Sequence, residues 1–118
     1  MENTGENYKI INENSCPIRE VLVILGGKWA FSIIYALLYE KKRFMELERS
    51  IEGINTRMLV KELKSMERNK ILIREAFATI PPTVEYSLTD KGRKLEPVLA
   101  ELYKWGKEFV QPAVIANK

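Results

Sequence analysis

Thr56, Arg57 and Lys61 fall within six consecutive positions, and Lys64 follows one helical turn further on. The guanidinium of Arg57 carries a planar fork of N–H donors that fits guanine O6 and N7. The hydroxyl of Thr56 can donate or accept a hydrogen bond, and its methyl can touch a thymine methyl. With Lys61 they are the candidates for contact with base edges. Lys28, Arg43 and Lys64 are cations suited to phosphate oxygens, the contacts that position a protein on a duplex. A different chemistry is open to Cys16, the only cysteine. It precedes Pro17, a residue suited to the first helical position, so its sulfur stands where a helix dipole stabilises a thiolate. Arg19 adds to that effect. The alternative for Cys16 is an inert buried thiol acting as a small hydrophobe.

The charge distribution supports polyanion chemistry. Residues 41–74 hold ten Lys/Arg against five Asp/Glu, residues 1–40 hold three against five, and residues 75–118 are balanced at six each. The whole +3 excess therefore comes from the middle third. A localised basic segment is the footprint of a nucleic-acid-binding face, although a solvated helix surface has the same composition.

Other chemistries are excluded by what is missing. The chain has no histidine, so Ser-His-Asp and Cys-His arrangements cannot form, and four N/S ligands for zinc are not at hand. No Gly-rich phosphate loop or carboxylate cluster appears, so neither an enzyme, a metal nor a cofactor is expected. The first fifteen residues, "MENTGENYKIINENS", are polar and acidic, unlike a secretory signal, and no apolar run approaches ~20 residues. A cytoplasmic protein without membrane contact is expected. With 118 residues one domain is expected, spanning 16–110 between a flexible segment 1–15 and a tail 111–118.

The elements that must position these residues follow from periodicity. Ile18, Val21, Leu22 and Leu25 recur at helical spacing, predicting one buried face for a first helix after Pro17. Gly26 is expected to supply the left-handed residue that ends it, and Gly27 freedom to turn. A second helix over 28–39 is apolar nearly all round and predicts the central core helix, with Lys28 at its N-terminus and Trp29 packed inside. There Lys28 and the free N–H groups would form an anion site; the alternative is a solvated lysine in a mildly unfavourable place.

Phe44, Leu47 and Ile51 predict a short third helix ended by Gly53. Asn55 predicts the N-cap of a fourth, with Leu59, Leu63 and Met66 inward and Thr56, Arg57, Lys61, Lys64 and Arg68 outward. "ILIREAFA" and "TVEYSLT" read as a β-hairpin around "TIPP". Thr89 predicts a last N-cap, and Pro97 is expected to kink or divide the helix that follows. The predicted fold class is mainly α with a small β-hairpin (α+β), a winged helix-turn-helix. Leu99, Leu102, Tyr103, Trp105 and Phe109 offer more apolar surface than a small core needs. They are the candidate homodimer interface, unless they close the monomer's own core.

"CPIREVLVILGGKW", "KRFMELERSIEGINTRMLVKELKSME", "PPTVEYSLTDKGRKL" and "LYKWG" occur in this order. They resemble the HxlR-type winged-helix transcriptional regulators of bacteria and archaea, from Cys16 to about Phe109. The resemblance implies a homodimer with N- and C-terminal dimerization helices, binding double-stranded DNA at a palindromic operator as repressor or activator. It also implies that Cys16 senses oxidants or electrophiles, with a small-molecule electrophile or thiol as its partner. Thr83 stands where the family frequently has arginine. A winged-helix module that binds proteins without sequence-specific DNA binding is the alternative.

Overall fold

The computed structural model describes residues 17–110. Cys16, the segment 1–15 and the tail 111–118 lie outside them. Pro17 opens α1 (Pro17–Leu25), where its missing N–H sacrifices no helical bond. The chain then bends by 80° into α2 (Ala30–Leu37). The left-handed residue of this corner is Gly27, with φ of 91°, not Gly26 as the sequence predicts. Gly26 is required for a different reason: a Cβ there would run into the Leu22 carbonyl oxygen. α2 also starts later than expected. Trp29 occupies its N-cap, which leaves Lys28 outside the helix.

Arg43 ends a two-residue strand, β1 (Lys42–Arg43), and caps α3 (Phe44–Ser50). Its backbone N–H donates to Glu46 Oε1 at 2.8 Å. A turn through Gly53, φ 90°, leads to α4 (Thr56–Arg68). β2 (Leu72–Phe77) and β3 (Thr83–Leu88) form the expected hairpin. Its register runs from Leu72 opposite Leu88 to Phe77 opposite Thr83. β1 adds to the other side of β3, giving an antiparallel sheet in the order β1-β3-β2. Thr89 caps α5 (Asp90–Arg93) by accepting from the Gly92 N–H. A break at Lys94 and Leu95 precedes α6 (Glu96–Phe109), so Pro97 divides the last helical region. It sits in the first turn of α6, where proline is tolerated.

The core is built around Ile33, Ile34 and Leu37 of α2. Leu47 comes from α3, Leu59, Leu63 and Met66 from α4, and Leu72, Tyr86 and Leu88 from the sheet. Burying each large aliphatic side chain contributes about 1.5–3 kcal/mol. This cluster therefore holds α4 against the sheet.

Two faces expected to be buried are not. Of the α1 stripe only Leu25 is buried; Ile18 is 63% and Leu22 62% exposed. The 80° corner carries α1, apart from its last turn, away from the core that α2 enters. α2 is covered on one side only, because Tyr35 and Tyr39 stay exposed. No residue of α6 is buried, and only Leu95, just before it, and Leu99 pack against the core. No single helix among the described residues is long and apolar enough to cross a membrane.

Candidate nucleic-acid interface

The Asn55 side chain accepts from the Met58 N–H at 2.8 Å, a cap that contributes about 1 kcal/mol and fixes where α4 begins. From there the turn of 100° per residue sorts the side chains. Leu59, Leu63 and Met66 point into the core, and Thr56, Arg57, Lys61 and Lys64 are all exposed. Arg57, Lys61 and Lys64 make no ion pair among the described residues. Three cations on one helix face, with no carboxylate holding them, form a local positive field directed at solvent.

Thr56 differs from the other three. Its hydroxyl donates to Glu48 Oε2 at 2.7 Å, so the first residue of α4 is fastened to α3. Nothing in the periodicity of the sequence signals Glu48, because this contact crosses the helix-turn-helix turn.

Arg43 lies on β1, opposite Glu85 in the register of the sheet, with its side chain exposed. It lines a shallow hollow of about 330 Å³ with Arg49, Pro82 and Thr83, where the start of α3 meets the wing. Arg49 was not singled out by spacing; the fold brings it beside Arg43. Thr83 faces the Thr79 hydroxyl at 3.2 Å, and at the tip of the wing Ile80 is fully exposed.

Lys28 is exposed, with its Nζ 4.9 Å from the centre of the Trp29 ring. That is a cation–π contact worth about 0.5–1 kcal/mol at an exposed site. It leaves the ammonium hydrogens free for an anion. Trp29 is buried, as expected from sequence, and its indole N–H has no partner among the described residues. A Cβ on Gly53 would lie 3.5 Å from the Trp29 ring, so Trp29 packs beneath the turn between α3 and α4.

Opposite in character is the surface of α6. Leu102 and Tyr103 are exposed, with Trp105 59% and Phe109 61% accessible. The rings of Trp105 and Phe109, one turn apart, meet tilted at 43° with centres 5.2 Å from each other. Leu99, Leu102 and Tyr103 face Phe31, Tyr35 and Tyr39 of the α2 region across a groove of about 970 Å³. Apolar exposure on this scale marks an interaction surface. Among the described residues no group of His, Cys, Asp or Glu could hold a metal ion.

The geometry agrees with the comparisons to known proteins. Residues 24–114 match the model of the HxlR-like helix-turn-helix family. The uncharacterized HTH-type transcriptional regulator YdeP of Bacillus subtilis is 40% identical over 105 residues, covering 89% of this chain and 82% of its own. A crystal structure from Porphyromonas gingivalis W83, described as a MarR-family transcriptional regulator, superposes with a TM-score of 0.79. It has 37% identity and covers 85% of this chain and 98% of that one. The redox regulator HypR in its oxidized form reaches a TM-score of 0.76 at 39% identity, over 82% of this chain and all of HypR. All three are described as regulators, and the two solved structures share the fold described above over most of their length. The chain belongs to the HxlR-like helix-turn-helix family and is a transcriptional regulator of the winged-helix type.

Proposed function

We propose that the protein binds a palindromic operator as a homodimer, with α4 in the major groove, and represses or activates transcription in the cytoplasm. The observation that carries this reading is the outward face of α4, where Arg57, Lys61 and Lys64 stand exposed, with no ion pair among the described residues, on a helix fixed by its cap and core. Arg57, Thr56 and Lys61 are assigned to base edges, because the N-terminal turns of a recognition helix reach deepest. Lys28, Arg43 and Lys64 are assigned to phosphates. The domain that does this spans 16–110. Its dimer is formed by the uncovered apolar faces of α1 and α6, including Leu99, Leu102, Tyr103, Trp105 and Phe109.

Cys16 is assigned a sensing role, in which an oxidant couples it to a thiol or an electrophile alkylates it. Support comes from its place before the helix opened by Pro17 and from the likeness to a protein described as a redox regulator. As the only cysteine of the chain, it forms a disulfide only with a second subunit or a small thiol.

The test is selection of bound duplexes from a random pool, followed by titration with salt. A recovered inverted repeat is expected, with log K falling by about 0.9 per unit of log salt for each phosphate neutralised. Equal affinity for all duplexes would replace this reading with that of a protein-interaction module.

A further inference from the structure

We infer that Glu48 sets the base preference of Thr56, making it a reader of exocyclic amino groups that excludes guanine. The inference rests on the operator-binding reading above and assigns the specificity of one of its contacts.

A threonine hydroxyl has a single hydrogen to donate and two lone pairs to accept with, whereas a carboxylate only accepts. The 2.7 Å bond from Thr56 Oγ1 to Glu48 Oε2 therefore commits that hydrogen. What remains for a partner is an acceptor and a methyl group. In the major groove, adenine N6 and cytosine N4 present donors, and guanine presents only the O6 and N7 acceptors. An acceptor-only Thr56 satisfies the first two and meets guanine with lone pair against lone pair. An uncommitted threonine would accept all of them by rotating its hydroxyl.

The bond itself is exposed, and three features favour it. Thr56 is the first residue of α4, directly after the Asn55 cap, so its backbone is held at the helix start. Glu48 is half-buried on α3 while Thr56 is exposed, so the carboxylate supports the hydroxyl from the protein side. A carboxylate beside a helix N-terminus is also favoured by the helix dipole. Glu48 accordingly acts as a positioning residue. It needs no contact with DNA to exert its effect.

The experiment uses the full chain and begins from the duplex that the wild type selects from a random pool. Affinities are then measured for that duplex and for versions carrying guanine at each half-site position in turn. For the wild type, one position on each half-site should hold adenine or cytosine and reject guanine by about tenfold, near the low end for one good base contact. Glu48→Ala should raise the affinity of the guanine duplex at that position and leave the selected duplex within about twofold. Glu48→Gln, whose amide oxygen still accepts from Thr56, should keep the rejection. Thr56→Val should instead weaken the selected duplex, and Thr56→Ser, which retains the hydroxyl, should not. Circular dichroism of each variant verifies the fold, and the two conservative variants keep the comparison valid where an alanine or valine variant unfolds. A selected motif in which Glu48→Ala and Glu48→Gln treat guanine alike, or in which no position rejects guanine, overturns the role of Glu48. Failure of the wild type to select any motif overturns the operator-binding reading itself, and this inference with it.

Discussion

The Thr89 hydroxyl donates to the Lys70 carbonyl oxygen at 2.6 Å across nineteen residues of sequence. The Thr89 hydroxyl oxygen in turn accepts the Gly92 N–H at 3.0 Å. One side chain thus joins the end of α4, where the wing begins, to the start of α5, where the wing ends. Thr89→Ala removes the cap and leaves the exposed Lys70 carbonyl to water, so a loss of about 1 kcal/mol is expected. Thr89→Ser should recover most of it. Urea unfolding measures both, and a loss below about 0.5 kcal/mol for alanine contradicts the assigned role.

Lys70 itself has a φ of 61°. It ends α4 in a Schellman arrangement, with its N–H donating to the Glu67 carbonyl and the Ile71 N–H to the Met66 carbonyl. A left-handed conformation costs a non-glycine residue about 1–2 kcal/mol, and glycine's extra chain freedom costs about 0.5–1 kcal/mol. Lys70→Gly should therefore raise stability by up to about 1 kcal/mol. A fall in the urea midpoint would show that the side chain of Lys70 contributes more than its backbone strain costs.

Arg57→Ala and Lys64→Ala should separate base reading from phosphate contact. Loss of Arg57 should reduce discrimination by about 1–3 kcal/mol at one operator position. Loss of Lys64 should weaken specific and random duplexes similarly and reduce the salt slope by about 0.9. Equal losses on specific and random DNA for Arg57→Ala would remove it from the base-reading set.

Leu102→Glu places a charge on the exposed apolar face of α6. If that face joins two subunits, sedimentation at micromolar concentration should show a dimer for the wild type and a monomer for the variant, with circular dichroism unchanged. Because about half of Leu102 is already exposed in the monomer, the cost to the monomer's fold should stay at about 1 kcal/mol or less. A wild type that sediments as a monomer refutes the interface.

Cys16→Ser tests the sensing role. Diamide or a quinone should alter operator binding by the wild type and not by the variant, and a reductant should reverse the diamide effect. Identical responses of the two proteins would clear Cys16 of any part in it.

Local chemistry made much of this fold legible. Asn55 and Thr89 are caps in the structure as in the sequence, because a short polar side chain before an apolar stripe satisfies orphan N–H groups wherever it occurs. The stripe Leu59, Leu63 and Met66 is buried as its spacing requires. The alternation of Val84, Tyr86 and Leu88 gave the wing strand. Periodicity failed where the partner surface, not the element, decides. The α1 stripe is as regular as that of α4, yet Ile18 and Leu22 remain exposed. β1 escaped notice because two residues are too few to alternate; it exists only because β3 has an open edge beside it.

The candidate interface divides along the same line. The sequence by itself determined that Arg57, Lys61 and Lys64 share a helix face and that the basic excess is concentrated around them, since both depend only on helical geometry and on composition. Tertiary structure decided which of the neighbours they meet. Lys28 is drawn off the helix end onto Trp29, Arg49 is brought beside Arg43 at the wing, and Glu48 takes the hydrogen of Thr56. The first is a contact between neighbours in sequence, set by where α2 starts; the other two turn on how one element packs against another. That packing is set by the core of the whole domain and not by the spacing of residues within any one segment.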